Sequence, residues 1–443
     1  MTRLGPLGNG DNSRSYDGTL SLGGRFQAVE VPCWVDSARP PTGIPTWKHG
    51  GSANLAYRDG KLIALSNGHL KVLDAATLAE VRQIPTVVTG GFQGWDRTNG
   101  NEKRTQAGHS VPAGLSTLYW LENGLVSIRP GGDIGSKPNG HEFVQVTGDA
   151  KSPTLPRESN QREWLAACDG NPLVLYTLGG HAYGRTTIGF FNGAEVGTIR
   201  VPNAINSPAN LSTPDCHYLL APGKVVTQAR NGGLIEHQPG LSIHRVGRDG
   251  SDAQIFSEAT MSVATGWDGT YAPQPWCLRN GKLYVHTSNS RTFELAVIDT
   301  QRWTFTRTGT PPMGYRPRVA VNRAGDVIVC GANTVCVPGL WTITTPLDVE
   351  AQTTNKQYGN HVVIDDAAVH IVRLIGGILV VESRSLKDGK PIGSHRVTIP
   401  GSDYTGQCHD AFAVDGAIYA LVTAAEPWRT GPKAFTQTIV RVS

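Results

Sequence analysis

Each end of this chain carries one strand with no neighbour in its own part of the sequence. Thr438-Ile-Val-Arg-Val-Ser443 reads as a β-strand with nothing after it to pair with, and Gly24-Arg-Phe-Gln-Ala-Val-Glu-Val31 reads as a strand with no hairpin before it. A bare strand edge is a template for aggregation, so a stable fold has to cover it. Between these ends a four-strand pattern recurs about every 50 residues. A chain that starts with a lone outer strand and stops one strand short of a full unit suits a closed ring. One pairing then removes both open ends.

The clearest unit runs Ala53-Asn-Leu-Ala-Tyr57, a turn at Arg58-Asp-Gly60, Lys61-Leu-Ile-Ala-Leu65, a turn at Ser66-Asn-Gly68, Leu70-Lys-Val-Leu-Asp74 and Val81-Arg-Gln-Ile84. A near-copy runs Trp276-Cys-Leu278, Arg279-Asn-Gly281, Lys282-Leu-Tyr-Val285, Leu295-Ala-Val-Ile-Asp299 and Trp303-Thr-Phe-Thr306. Asp-Gly and Asn-Gly suit two-residue hairpins because both central positions need positive φ. The first hairpin of each unit is placed at Gly60, Gly124, Gly170, Gly223, Gly281, Gly325, Asp366 and Gly416. The expected fold is therefore all-β: a single β-propeller of eight four-stranded blades over residues 24–443, following an N-terminal extension at 1–23. Residues 24–31 complete the C-terminal blade. Seven blades is the competing count, because the Gly124 and Asp366 units are less regular. Two stacked β-sandwiches fit the split terminal unit poorly.

A chain of 443 residues ordinarily divides into two or three domains, but a propeller grows by adding blades to one ring. Gly 53 and Pro 28 supply its turns. The formal charge of +4 is scattered, whereas a nucleic-acid-binding face would cluster its Lys and Arg. No long uncharged apolar window reads as a membrane span, and the start, Met1-Thr-Arg-Leu-Gly-Pro-Leu, lacks the apolar stretch of a signal peptide. Synthesis in a cytoplasm without export is expected. The seven cysteines are unevenly spaced and read as buried free thiols, with Cys330 and Cys336 the one pair placed to bridge a hairpin.

In a propeller the first strand of each blade lines the axis, so residues leading into those strands converge on one mouth. They include His49, His109, Arg162, His217, Trp276, Arg316, Arg318, His361, His409 and Asp410. Imidazole, guanidinium and aromatic groups in one ring suit an anionic or sugar-like ligand. A wet axial channel is lined by polar residues with or without a ligand, so both readings stand. No local ligand spacing marks a metal site, and no cofactor is expected. Phosphate-loop and nucleophile-elbow motifs are absent, and carboxylates are sparse at the mouth, which disfavours a two-carboxylate glycosidase. The longest insertion, Thr89 to Gly114, holds Phe92 and Trp95. A later loop repeats its Gly-Trp-Asp string around Trp267. These three aromatics are the expected protein-contact elements.

Few lysines, many Gly, Thr and Asn, and long polar loops around a divergent propeller resemble the virion proteins of tailed bacteriophages, in tail or host-attachment positions. The resemblance implies a non-enzymatic role in a symmetric assembly, touching other virion proteins or a host-surface glycan. It carries over no functional residue. A carbohydrate-active reading, as a polysaccharide lyase or lectin, would use His217, His361, His409 and Arg318, with Tyr315 and Tyr358. A third reading is an intracellular protein-interaction scaffold.

Overall fold

Strand β1 (Phe26–Glu30) pairs antiparallel with the last strand, β35 (Phe435–Val442), in the computed structural model. The register runs from Phe26 opposite Val442 to Glu30 opposite Thr438. The two orphan strands thus share a sheet, although they lie at opposite ends of the chain. The structure describes residues 15–31, 55–66, 69–85, 95–96, 103–104, 117–120, 125–129, 142–146, 163–166, 174–178, 185–191, 195–202, 209–213, 215–222, 225–227, 236–237, 240–261, 276–288, 293–313, 317–331, 333–345, 361–400, 407–425 and 435–443.

Between these ends, antiparallel sheets follow one another in chain order. The first contains β2 (Leu55–Arg58), β3 (Lys61–Ser66), β4 (His69–Asp74) and β5 (Glu80–Pro85). A ribbon of β6 (Trp95–Asp96) and β7 (Lys103–Arg104) follows within the long insertion. The next sheet has β8 (Thr117–Trp120), β9 (Leu125–Arg129) and β10 (Glu142–Gln145), and the one after it β11 (Glu163–Ala166), β12 (Val174–Leu178), β13 (Arg185–Phe191) and β14 (Glu195–Pro202). Then come β15 (Ala209–Ser212) and β16 (Cys216–Pro222), a ribbon of β17 (Val225–Thr227) and β18 (Glu236–His237), and β19 (Leu241–Gly247) and β20 (Asp252–Glu258). The following sheet is β21 (Trp276–Arg279), β22 (Lys282–Ser288), β23 (Phe293–Asp299) and β24 (Phe305–Gly309). It precedes β25 (Arg318–Val321), β26 (Val327–Cys330), β27 (Thr334–Val337) and β28 (Trp341–Thr344). The next is β29 (His361–Ile364), β30 (Ala368–Ile375), β31 (Ile378–Ser385) and β32 (Pro391–Thr398), and the last combines β33 (Gln407–Val414) and β34 (Ala417–Ala425) with β35 and β1. Among the described residues there is no helix, and the up-and-down sheets make an all-β fold of the propeller type.

Turn chemistry explains the strand breaks. Asp59 and Gly60 have φ of 47° and 74°, and Asn280 and Gly281 have 51° and 70°, the double positive φ that a two-residue hairpin requires. The aspartate shared by the two clearest units also makes a turn. Asp74 accepts hydrogen bonds from the Thr77 N–H (2.8 Å) and hydroxyl (2.7 Å), and Asp299 accepts from the N–H groups of Gln301 and Arg302, each at 2.9 Å.

Alternating strands bury one face against each neighbouring sheet. Leu283, Val285, Ala296 and Ile298 pack on Cys216, Tyr218, Ile243 and Phe256 of the preceding sheet. Cys277, Tyr284 and Leu295, on the opposite face, pack on Val319, Val321 and Val329 of the next. Leu55, Tyr57 and Leu62 of the first full sheet pack on Phe412, Tyr419, Leu421 and Ile439 of the last. Tyr419 donates its hydroxyl to the Ala75 carbonyl at 2.8 Å, and the Tyr57 hydroxyl is hydrogen-bonded to the Asp415 carboxylate. Gly331 marks a tight passage. A Cβ there would sit 1.9 Å from the Met313 carbonyl oxygen, which leaves room for hydrogen alone. Cys216, Cys277, Cys330, Cys336 and Cys408 are buried thiols outside any disulfide, as expected.

One sheet corrects the repeat. The turn at Gly223 is not a first hairpin: β16 before it is the second strand of its sheet, pairing with β15 on one side and β19 on the other. The chain beyond Pro222 leads into the β17–β18 ribbon instead. An apolar run followed by Pro-Gly looks the same in either position, because period-2 patterning carries no strand rank.

Candidate functional site

The structure brings two of the expected site residues together. Arg318 starts β25 and His361 starts β29, the first strands of successive sheets. The Arg318 Nη1 donates to His361 Nδ1 at 2.8 Å. The other ring nitrogen, Nε2, donates to the carbonyl oxygen of Cys408 on β33 at 2.7 Å. Guanidinium can only donate and carbonyl can only accept, so these partners fix one neutral tautomer of His361. The ring is 2% exposed and ties three successive first strands into one seam. Both nitrogens being engaged, the side chain holds the sheets in register and presents no free base.

His217 is corrected. It lies on the second strand of its sheet, opposite Ser212 and Val246, and is fully buried. It therefore does not belong with the residues that lead into first strands. The apparent match between Cys216-His217 and Cys408-His409 fails for the same reason, since Cys408 lies on a first strand and Cys216 on a second. Trp276 opens β21, and His409 sits where the register of β33 shifts between Cys408 and Asp410. For these three positions, Trp276, His409 and Asp410, and for Trp95 on β6, the description reaches the backbone alone. His49, Phe92, His109, Arg162, Trp267, Arg316, Tyr315 and Tyr358 lie outside the described residues. Among the described residues, no group of three or more His, Cys, Asp or Glu is placed to hold a metal.

A second polar cluster escaped the sequence analysis. Asp365, just after β29, is fully buried and accepts hydrogen bonds from the N–H groups of Ala367 (Oδ1, 2.7 Å) and Ala368 (Oδ1, 2.6 Å) and from His370 Nε2 (Oδ2, 3.0 Å). The other ring nitrogen of His370 lies 2.8 Å from the Ser383 hydroxyl and accepts from it. Serine, histidine and aspartate in line resemble a nucleophile relay, but Ser383 is 7% and His370 2% exposed, and the chain ends in backbone. Its fourth partner shows its role. The Leu20 N–H donates to Asp365 Oδ2 at 2.8 Å, from a residue 345 positions away.

Residues 15–22 therefore form a strap across the hairpin ends of the sheets. Tyr16 N–H bonds the Ile364 carbonyl (2.9 Å), Asp366 N–H bonds the Gly18 carbonyl (3.0 Å), and Gly18 N–H bonds the Asp366 carboxylate (3.1 Å). Asp17 pairs with Arg279, at the end of β21 two sheets back. The strap thus lies at the end of the sheets opposite to Arg318 and His361, which start their strands. No local signal marks it, since every partner is remote in sequence.

Another buried histidine gives a pH signature. His286 on β22 is 1% exposed, with Nε2 3.0 Å from the Thr310 hydroxyl and Nδ1 without a hydrogen-bond partner. Burial pushes its pKa down to about 4, so the folded protein keeps it neutral while the unfolded chain takes up a proton near its ordinary 6.5. The stability held above pH 6.5 is lost as pH falls through that window toward 4. Replacing His286 by asparagine is expected to remove on the order of 2 kcal/mol of the stability difference between about pH 7 and pH 4.5. Urea midpoints at the two pH values measure this, and parallel curves for both proteins would refute it.

No family model matches the chain, and no curated protein matches it in sequence. Solved structures match in shape. A europium-containing methanol dehydrogenase aligns with a TM-score of 0.52 at 11% identity, over 99% of this chain and 98% of its own. The Dos1 propeller aligns at 0.45 and 10% identity over 90% and 94%, and AztD from Citrobacter koseri at 0.41 and 13% over 82% and 90%. At such identities the likeness concerns fold, and the chemistry of these proteins does not transfer.

Proposed function

We propose that the chain is a rigid, non-catalytic propeller of eight blades, closed by its N-terminal strand, that serves as a structural or attachment component of a bacteriophage tail. The observation that carries this reading is the Arg318–His361–Cys408 seam: polar groups at the axial ends of first strands act as ties between sheets. The same use recurs at the opposite end, where Asn280 Nδ2 donates to the Arg323 carbonyl (3.0 Å) and Asn322 Nδ2 to the Asp365 carbonyl (3.1 Å). Interlocked sheets give a stiff disc on which loops can be displayed. The packing of the first full sheet on the last supports closure of the ring. Partners on this reading are other virion proteins or a host-surface glycan, without a cofactor.

Mass spectrometry of purified particles is expected to find the chain at a fixed copy number, and electron-microscopic averages down the axis to show eight blades. Absence from particles overturns the virion role. Release of ultraviolet-absorbing unsaturated ends from a uronate polysaccharide would overturn the non-catalytic one.

A further inference from the structure

The sheet of β29–β32 carries an excess of guanidinium on one face. Register puts Arg373, Val380 and Arg396 side by side, and Glu382 and Arg384 follow Val380 on the same face at two-residue steps. On β30, Val369 and Ile371 of that face lie opposite Arg384 and Glu382 in register and pack on Ile328, Val335 and Val337 of the preceding sheet. The strands of that preceding sheet are four residues long, against eight for β30, β31 and β32, so they match only part of this face. Arg373 and Arg396 stand further along the same face, both in register with Val380.

Two of these arginines, Arg373 and Arg384, pair with one carboxylate. Glu382 takes Arg373 Nη2 on Oε2 at 3.0 Å and Arg384 Nη2 on Oε1, while Arg384 Nη1 donates to the Gly389 carbonyl at 2.7 Å. Arg373 and Arg384 are 15% and 21% exposed, Glu382 is 14% exposed, and Arg396 stands exposed at the rim. Each guanidinium carries several N–H donors, and Nε of both Arg373 and Arg384 is buried without a hydrogen-bond partner. Two positive charges are therefore left uncompensated within the cluster, in a partly dehydrated setting that strengthens their repulsion. Burial pushes the Arg373 pKa down, and Arg384 and Arg396 act in the same direction against Glu382.

We propose that Arg373, Arg384 and Arg396 form an oxyanion-binding site on this blade, for a sulfate or phosphate group. The group is either a free ion or an ester on a sugar. Guanidinium forks suit such oxygens because they donate two parallel hydrogen bonds. Val380, 6% exposed, supplies an apolar floor between Arg373 and Arg396. Glu382 occupies the donors that a ligand would use, and so acts as a built-in competitor. The site does not depend on the attachment role, since a free protein would bind equally well.

Isothermal titration of the full chain with inorganic sulfate and with a 6-O-sulfated disaccharide, at matched ionic strength, tests the proposal. Arg396→Gln is expected to weaken binding about tenfold or more, and, because Arg396 is exposed, without loss of fold. Glu382→Gln is expected to act in the opposite direction, tightening binding about threefold or more by releasing two guanidinium groups. Equal affinity for both probes assigns the free ion, and tighter binding of the disaccharide assigns the sugar ester. Either result with the paired mutant signs supports the site. No binding by the wild type, or variants that bind like it, overturns the proposal.

Discussion

Deleting residues 1–31 is expected to leave a chain that self-associates and unfolds at much lower denaturant concentration. The deletion strips β1 from β35 and opens the edge from Thr438 to Val442. Val440 and Val442 are fully buried in the intact protein, and an apolar edge of this kind recruits further strands. The strap leaves as well, taking the buried Leu20 and Val31 and the Leu20 N–H that bonds Asp365. Burial of those side chains together with Phe26 and Val29 amounts to on the order of 5 kcal/mol. That compares with about 5–15 kcal/mol for the whole stability of an ordinary domain. Light scattering after gel filtration and urea denaturation measure the effect. A synthetic peptide of residues 15–31 should restore both properties in part. A truncated protein that stays monodisperse with an unchanged midpoint would show that the last sheet does not need its N-terminal strand.

Replacing Asp365 by alanine is expected to cost about 4 kcal/mol, because breaking a buried charged cluster orphans its partners. Leu20 and Ala368 N–H would lose an acceptor in a place water does not reach, and His370 would lose the carboxylate that fixes its ring. Burial alone would raise the Asp365 pKa, but the His370 side chain and the N–H groups of Leu20 and Ala367 outweigh it and hold the carboxyl below the usual range. A lowered folded value means that this contribution is present above the ordinary carboxylate range and is lost as pH falls through the folded value. The alanine variant should therefore be less stable at neutral pH and lose less on acidification. Urea midpoints across pH 7 to about pH 3 test both points. In addition, limited proteolysis should cut the variant first within the strap. Equal midpoints at neutral pH would mean that the relay carries no load.

The strand pattern was readable because its causes are local. Asp59-Gly60 and Asn280-Gly281 demand hairpins whatever surrounds them, and Asp74 and Asp299 close their turns through N–H groups two or three residues on. The pairing of Phe26–Glu30 with Thr438–Val442 was readable by elimination, since each strand needed a partner and had none nearby. His217 shows where such inference stops. Strand rank depends on which neighbour a strand meets, and the β17–β18 ribbon displaced the hairpin that the Gly223 turn suggested. The candidate site was legible as a set of polar residue types at strand starts, but not as a network. That Arg318 would spend its donors on His361, and His361 its N–H on Cys408, follows from the spacing of adjacent sheets, which sequence does not encode locally.

Sequence by itself determined that the chain is all-β, where its clearest turns fall, and that its first and last strands complete one sheet, because turn chemistry and strand alternation act over a few residues. Tertiary structure alone decided that the strap at residues 15–22 docks on Asp365, that His361 ties its sheet to both neighbours, and that Arg373 and Arg384 pair with Glu382. Those contacts join residues brought together by sheet packing or by register across strands, and only the folded chain sets those distances.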